Sequence, residues 1–411
     1  MPRWRWLLAN VARRLWVRAT LIGLLGVLAA LMAAVVERYI PWHLPGQIGA
    51  DAVEGILSIL ASSMLAVTTF SLSIMVSAYG SATSNVTPRA TKLLIEDRLT
   101  QTALSAFLGS FLFGIVGLIL LKTGAYGERG RVVLFAVTIA VIVLVVVSLL
   151  RWIDHLTRFG RVGETTVRVE EAARAAIEAW VERPCLGGTP LRAVPESAAP
   201  VTGEAIGYVQ HIDMPALADL CDAAGVEIFV NAVPGTFIYP DTPLALVDGL
   251  PPERRHALIQ AFTIGDVRSF DQDPRFGLAV LSEIASRALS PAVNDPGTAI
   301  DVIGRCTRLM CRWAAEAASK APEYPQVHVP AHAWPDLLED AFMPIARDGA
   351  AMLEVQLRLQ KALLALARTG GPGLGAAALE QSRQALSRAE GAMPLEADKA
   401  RLRAEIAASA P

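Results

Sequence analysis

The chain has 411 residues, 53% of them apolar, with 37 basic and 39 acidic side chains. The charge is uneven: residues 1–168 hold 16 Lys and Arg against 8 Asp and Glu, and the remainder 21 against 31. An acidic C-terminal part has no electrostatic pull toward nucleic acid, so that class of partner is excluded. Its length suffices for one sizeable core or two small ones.

Four long apolar segments open the chain: Trp16–Val36, Ile56–Val76 (extending to about residue 79), Ala103–Leu121 and Val132–Leu150, the last running to Trp152. About 20 apolar residues of helix cross a bilayer core, so residues 1–160 are expected to form a transmembrane domain of four helices. The first segment is too long for a cleaved signal peptide. Lys and Arg of the short loops fall twelve on one side and four on the other. Arg3, Arg5, Arg13, Arg14, Arg18, Arg89, Lys92, Arg98, Arg151, Arg158, Arg161 and Arg168 oppose Arg38, Lys122, Arg129 and Arg131. This bias places both termini and the large C-terminal part in the cytoplasm. Trp4, Trp6, Trp16, Trp42 and Trp152 stand at segment ends, where indole rings favour the headgroup level.

The second segment carries Ser58, Ser62, Ala66, Thr69, Ser73, Ser77 and Gly80 at three- and four-residue intervals. At 100° per residue they form one stripe along the helix. Two readings stand open: close helix packing through small hydroxyl residues, or a polar path through an oligomer. In the third segment Ala106, Ser110 and Gly114, with Gly109 and Gly117 beside them, make a small-residue seam for tight helix contact. None of the four centres holds an ionisable side chain, which argues against an ion-coupled pump. Between the second and third segments only Pro88 breaks the pattern, so helix two is expected to continue past the membrane face into a helical, interfacial connection. Asn85–Val86–Thr87 matches a glycosylation acceptor, but on this topology the loop faces the cytoplasm.

Residues 161–203 read as a connecting helix, Val162–Val181, and a linker in which Pro184, Pro190, Pro195 and Pro200 rule out regular structure. Residues 204–320 read as a cytoplasmic α+β domain. A strand is expected at Gly207–Ile212, then a helix opened by Asp213 and Pro215 and ended by Gly225, and a second strand at Val226–Val233. A Pro234–Gly235 turn and short strands around Phe237–Tyr239 and Leu244–Val247 complete a small β-module. That phrase is similar to the half-repeat of lipoyl and biotinyl carrier domains, which act through a lysine at a hairpin tip. No lysine occurs between Thr123 and Ser319, so a carrier function is excluded.

Asp273–Pro274 and Asp295–Pro296 start helices by the same device, a carboxylate accepting the orphan amides and a proline in the first turn. Asp271, Asp273, Asn294 and Asp295 could alternatively gather as an oxygen-rich cation site. His328 and His332 are four apart, but Pro330 denies them one helical face, so no metal pair is expected. Cys185, Cys221, Cys306 and Cys311 have neither redox nor zinc spacing and read as buried structural thiols. Residues 321–411 read as helical, Trp334–Arg368 and Ala376–Ala408, with a mobile end.

The chain resembles a bacterial family of predicted membrane proteins, domain of unknown function 2254. The resemblance rests on the serine-rich second helix running into Ser84–Leu99, on Gly207–Leu246, and on Gln272–Thr298 with its RALSPAVNDPGTA phrase. It implies a bacterial inner-membrane protein with an N-terminal helical region and a cytoplasmic mixed domain, and supplies no activity. The expected fold is integral membrane α-helical, then mixed α+β with a helical C-terminal part. Glycine-rich phosphate loops, HExxH and the GxSxG elbow are absent, so neither an enzyme nor a cofactor is expected. A homo-oligomeric channel or passive transporter for a small ion or osmolyte, with helix two lining its path, stands against a membrane-anchored sensor or scaffold that binds a ligand or partner.

Overall fold

The computed structural model describes residues 2–36, 50–316 and 320–409; Arg38 and Trp42 lie outside them. The chain divides into two compact units. One comprises Leu8–Ser84 and Thr91–Glu164, the other Met1–Leu7, Asn85–Ala90 and Thr165–Pro411.

The first unit is helical. After α1 (Arg3–Ala12) come α2 (Leu15–Val36), α3 (Ala50–Asn85), the short α4 (Thr91–Ile95), α5 (Arg98–Lys122) and α6 (Glu128–Leu156). Four of these helices are long and apolar enough to cross a membrane, at Leu15–Val35, Asp51–Ser84, Arg98–Lys122 and Glu128–Leu156. The 36 residues of α3 span about 54 Å at 1.5 Å per residue, well beyond a hydrocarbon core of about 30 Å. A helix running past the apolar segment is therefore what its sequence forms. It stops just before Pro88, where a 3-10 turn, Pro88–Ala90, begins the connection. Half of the α5 span is buried, more than of any other span, because α2, α3 and α6 all pack on it.

In the second unit α7 (Val162–Glu182) precedes β1 (Gly188–Pro190), β2 (Ala199–Thr202) and β3 (Gly207–Ile212). Then follow α8 (Met214–Ala224), β4 (Ile228–Val230), β5 (Phe237–Ile238), β6 (Pro243–Val247), α9 (Arg255–Gln260) and β7 (Phe262–Gly265). The chain continues through α10 (Pro274–Ala288), α11 (Pro296–Glu316), β8 (Tyr324–Val329), α12 (Trp334–Asp348), α13 (Leu353–Thr369), α14 (Gly371–Ala392) and α15 (Glu396–Ser409). Five strands make a mixed sheet in the order β1-β8-β4-β6-β2, and β5-β3-β7 make an antiparallel one. Val209 and Ile212, Leu217 of α8, and Ile228, Leu244 and Val327 share one buried core. The later helices pack on one another, α10 against α11 and α12, α13 against α11, α14 and α15.

Several expectations change. The proline-rich stretch is not an irregular linker: it supplies β1 and β2, the two outer strands of the five-stranded sheet. Proline is tolerated there because an edge strand has a free side that needs no amide proton. Tyr324–Val329, read as part of a helical region, is an inner strand paired in parallel with β1 and β4. The helix expected over Trp334–Arg368 breaks between Asp348 and Leu353, at Gly349. The end is a packed helix rather than a loose tail, with Leu402 buried against Ala389 and Met393. Cys311 is exposed while Cys306 is buried, since five residues turn a helix by about 140° from one face to the other. Trp6 and Trp152 are buried, each indole donating a 2.9 Å hydrogen bond, to Asp271 and Ser71 respectively.

Candidate functional site

Every member of the sequence stripe on α3, Ser58, Ser62, Ala66, Thr69, Ser73, Ser77 and Gly80, is exposed. The opposite face of the helix, Val53, Leu57, Leu60, Met64, Ser71 and Met75, is buried in the unit. At 100° per residue the centres of the two sets lie about 180° apart. The stripe thus turns as far as geometry allows from its own bundle. Large apolar side chains, Ile59 and Phe70 on one flank and Leu65 and Leu72 on the other, border it, Val76 lies within it, and all are exposed too. Two of the stripe's hydroxyls, and two beside it, are satisfied locally. Ser62 Oγ donates to the Ser58 carbonyl at 2.9 Å, Thr69 Oγ1 to Leu65 at 3.0 Å, and Ser63 and Thr68 bond backwards in the same way.

The small residues of α5 are buried. Ala106, Ser110 and Gly114 lie inside the unit, and Ser110 Oγ donates to the Ala106 carbonyl at 2.8 Å. A Cβ on Gly114 would stand 3.1 Å from the Ala61 Cβ of α3, and one on Gly109 would stand 2.9 Å from Ile22 Cγ2 of α2. Facing Gly109 is Gly26, where a Cβ would fall on the Gly109 carbonyl. Backbone therefore approaches backbone, as a small-residue seam permits.

Two features went unread in the sequence. Asp97 caps α5, its Oδ2 accepting from the Thr100 amide at 2.8 Å, and stands 3.0 Å from His155 Nε2 in the last turn of α6. An acidic residue before RLT is a capping signal that could have been noticed. In the second unit Arg89 pairs with Glu283 at 2.7 Å, and Thr87 donates to the same carboxylate at 3.1 Å. Only long-range folding reveals that pair.

Asp271, Asp273, Asn294 and Asp295 do not gather. Asp273 caps α10 by accepting from the Phe276 amide at 3.1 Å. Arg268 grips it through Nε at 2.7 Å and Nη2 at 2.9 Å, while lying over the Phe276 ring. Burial raises the Asp273 pKa above its ordinary value, against the opposing pull of Arg268. Gly235, at φ +93°, carries no side chain because a Cβ would strike that carboxylate. Asp271 accepts the Trp6 indole proton, and Trp6 stacks on His211 with centroids 5.2 Å apart. Asp295 caps α11 through the Thr298 amide at 3.0 Å, after Asn294 at φ 51°. The Asp295 amide also donates to the Ala288 carbonyl at the far end of α10. The 15 residues of α10 thus separate Asp271 and Asp273 from Asn294 and Asp295 by about 22 Å. Among the described residues no three His, Cys, Asp or Glu side chains are placed to hold a metal ion. His328 stacks on Phe229, whereas His332 packs against Trp180 and Trp313.

A family model described as a predicted membrane protein, domain of unknown function 2254, matches residues 12–365. Uncharacterised proteins of Mycobacterium bovis and Mycobacterium tuberculosis are 24% identical over 266 residues, 61% of this chain and 50% of theirs. The chain thus spans about half the length of the curated relatives it matches. No solved structure matches it.

Proposed function

Since the chain belongs to the domain of unknown function 2254 family of predicted membrane proteins, we propose that it forms a homo-oligomeric channel or passive transporter in the bacterial inner membrane. Copies of α3 turn their hydroxyl stripes toward a shared axis, and the C-terminal unit regulates the path. The observation that supports this reading is the placement of Ser58, Ser62, Thr69, Ser73 and Ser77 diametrically opposite the buried face of α3. A face meant for acyl chains carries large apolar groups; a face of serine, threonine, alanine and glycine suits contact with protein or water. A back-bonded hydroxyl still offers its oxygen lone pairs to a passing ion or polar solute. Passive movement fits the absence of ionisable side chains at mid-span.

Flux into proteoliposomes tests the proposal with potassium, chloride and glycerol as solutes. We expect flux of at least one of them, and a block by Ser73→Leu, which fills the stripe near its middle. No flux of any, or flux unchanged by Ser73→Leu, refutes the path. A second reading, a membrane-anchored sensor or scaffold without transport, draws on the local satisfaction of Ser62, Ser63, Thr68 and Thr69. A hydroxyl that already bonds a carbonyl of its own helix can face lipid at little cost.

A further inference from the structure

The five-stranded sheet carries a pocket of about 580 Å3 over β1, β4 and β8. Phe229 of β4 and His328 of β8 are partners in the parallel register, so both side chains rise from one face. Their rings stack, with centroids 4.7 Å apart and planes 18° from parallel; Phe229 is buried, which leaves the imidazole the more accessible ring of the pair. Pro190 and Val194 add apolar surface, and Arg192 stands at the rim.

The polar groups here are unevenly partnered. Nε2 of His328 is buried and makes no hydrogen bond; it stands 3.4 Å from Glu227 Oε2. The Arg192 guanidinium is exposed and has no ion-pair partner among the described residues. Glu227 also lines the pocket but faces His328 Nε2, which leaves the unpaired Arg192 guanidinium beside Pro190 and Val194, a combination that suits an anion with an apolar body. One planar fork matches one carboxylate in a bidentate pair, whereas a phosphate would need more donors than the pocket supplies. The flat imidazole suits a flat ligand, and the volume lies in the range of small-molecule sites.

We propose that this pocket binds a small aromatic carboxylate, with Arg192 holding the carboxylate and the His328 imidazole, backed by Phe229, stacking the ring. The site is independent of what α3 faces and of whether anything is transported. It is a ligand site of the C-terminal unit.

Titration of the full chain in detergent micelles with sodium benzoate, followed by saturation-transfer NMR against protein-free micelles, tests it. We expect saturable binding with a Kd on the order of 1 mM for so small a ligand. Benzamide, the neutral analogue, should bind about tenfold more weakly, and so should benzoate to Arg192→Gln. Arg192 is exposed, so this variant keeps the fold, and an unchanged melting midpoint verifies that. Arg401→Gln, at an exposed position of α15, should bind benzoate like the parent. Absence of saturable benzoate binding, equal binding of benzamide, or equal binding by Arg192→Gln would each overturn the proposal.

Discussion

Gly277→Ala is expected to destabilise the C-terminal unit, although alanine is the better helix former. Gly277 lies within α10 and faces Ala173 of α7, itself fully buried. A Cβ at 277 would fall on the Ala173 Cβ and 2.7 Å from its Cα, a backbone atom that no rotamer change can move. Relief requires the two helices to part by about 1 Å, and a gap of that size forfeits a quarter to a half of each dispersion contact across it. Overpacking of this kind costs about 1–3 kcal/mol, and the involvement of backbone puts the cost at the upper end. The gain in helix propensity offsets about 1 kcal/mol, leaving a net loss of about 2 kcal/mol. For a unit of this size the midpoint of thermal unfolding should fall by about 4–8 °C. Differential scanning fluorimetry of the purified full chain measures it, and Ala173→Gly in the same background should restore most of the loss. A midpoint unchanged or raised by Gly277→Ala would refute the close-approach reasoning.

Arg268→Met should cost about 3–5 kcal/mol, because it leaves the buried Asp273 carboxylate without its guanidinium. Arg268→Met combined with Asp273→Ser, which keeps a helix cap, should lose less; an equal loss by denaturant titration would count against the ion pair as the cause. His332 makes stability depend on pH. Burial, followed by the charges of Arg275 and Arg268, lowers its pKa from 6.5 to about 4. Because the folded state resists protonation, stability is complete above about pH 6.5 and is lost as the pH falls toward 4. At about 1.4 kcal/mol per pH unit the loss totals about 3 kcal/mol. His332→Phe should flatten that slope between pH 6.5 and 4, and an unchanged slope would assign it elsewhere.

What the sequence disclosed was local chemistry. The four apolar spans, the Asp213, Asp273 and Asp295 caps and the turn at Gly235 each depend on neighbours a few residues away, and simple periodicity or capping rules find them. What it hid was long-range. β8 contains Pro325 and acquires strand character only from β1 and β4, whose pairing positions lie about a hundred residues or more upstream. The hydroxyl stripe was legible as a period on α3, but its direction is set by which face α5 and the rest of the bundle cover. Asp271, Asp273, Asn294 and Asp295 are close in the chain and distant in space, since a rigid helix lies between them. Gly109 was visible as a small residue, yet its counterpart Gly26 was not, because nothing local ties the two helices together.

Prolines on both outer strands of the five-stranded sheet, Pro190 of β1 and Pro200 of β2, have one more consequence. A neighbouring chain seeking to extend the sheet by hydrogen bonding would meet, at either margin, a position with no amide proton to offer. The C-terminal unit is thereby guarded against ribbon-like aggregation through the margins of this sheet.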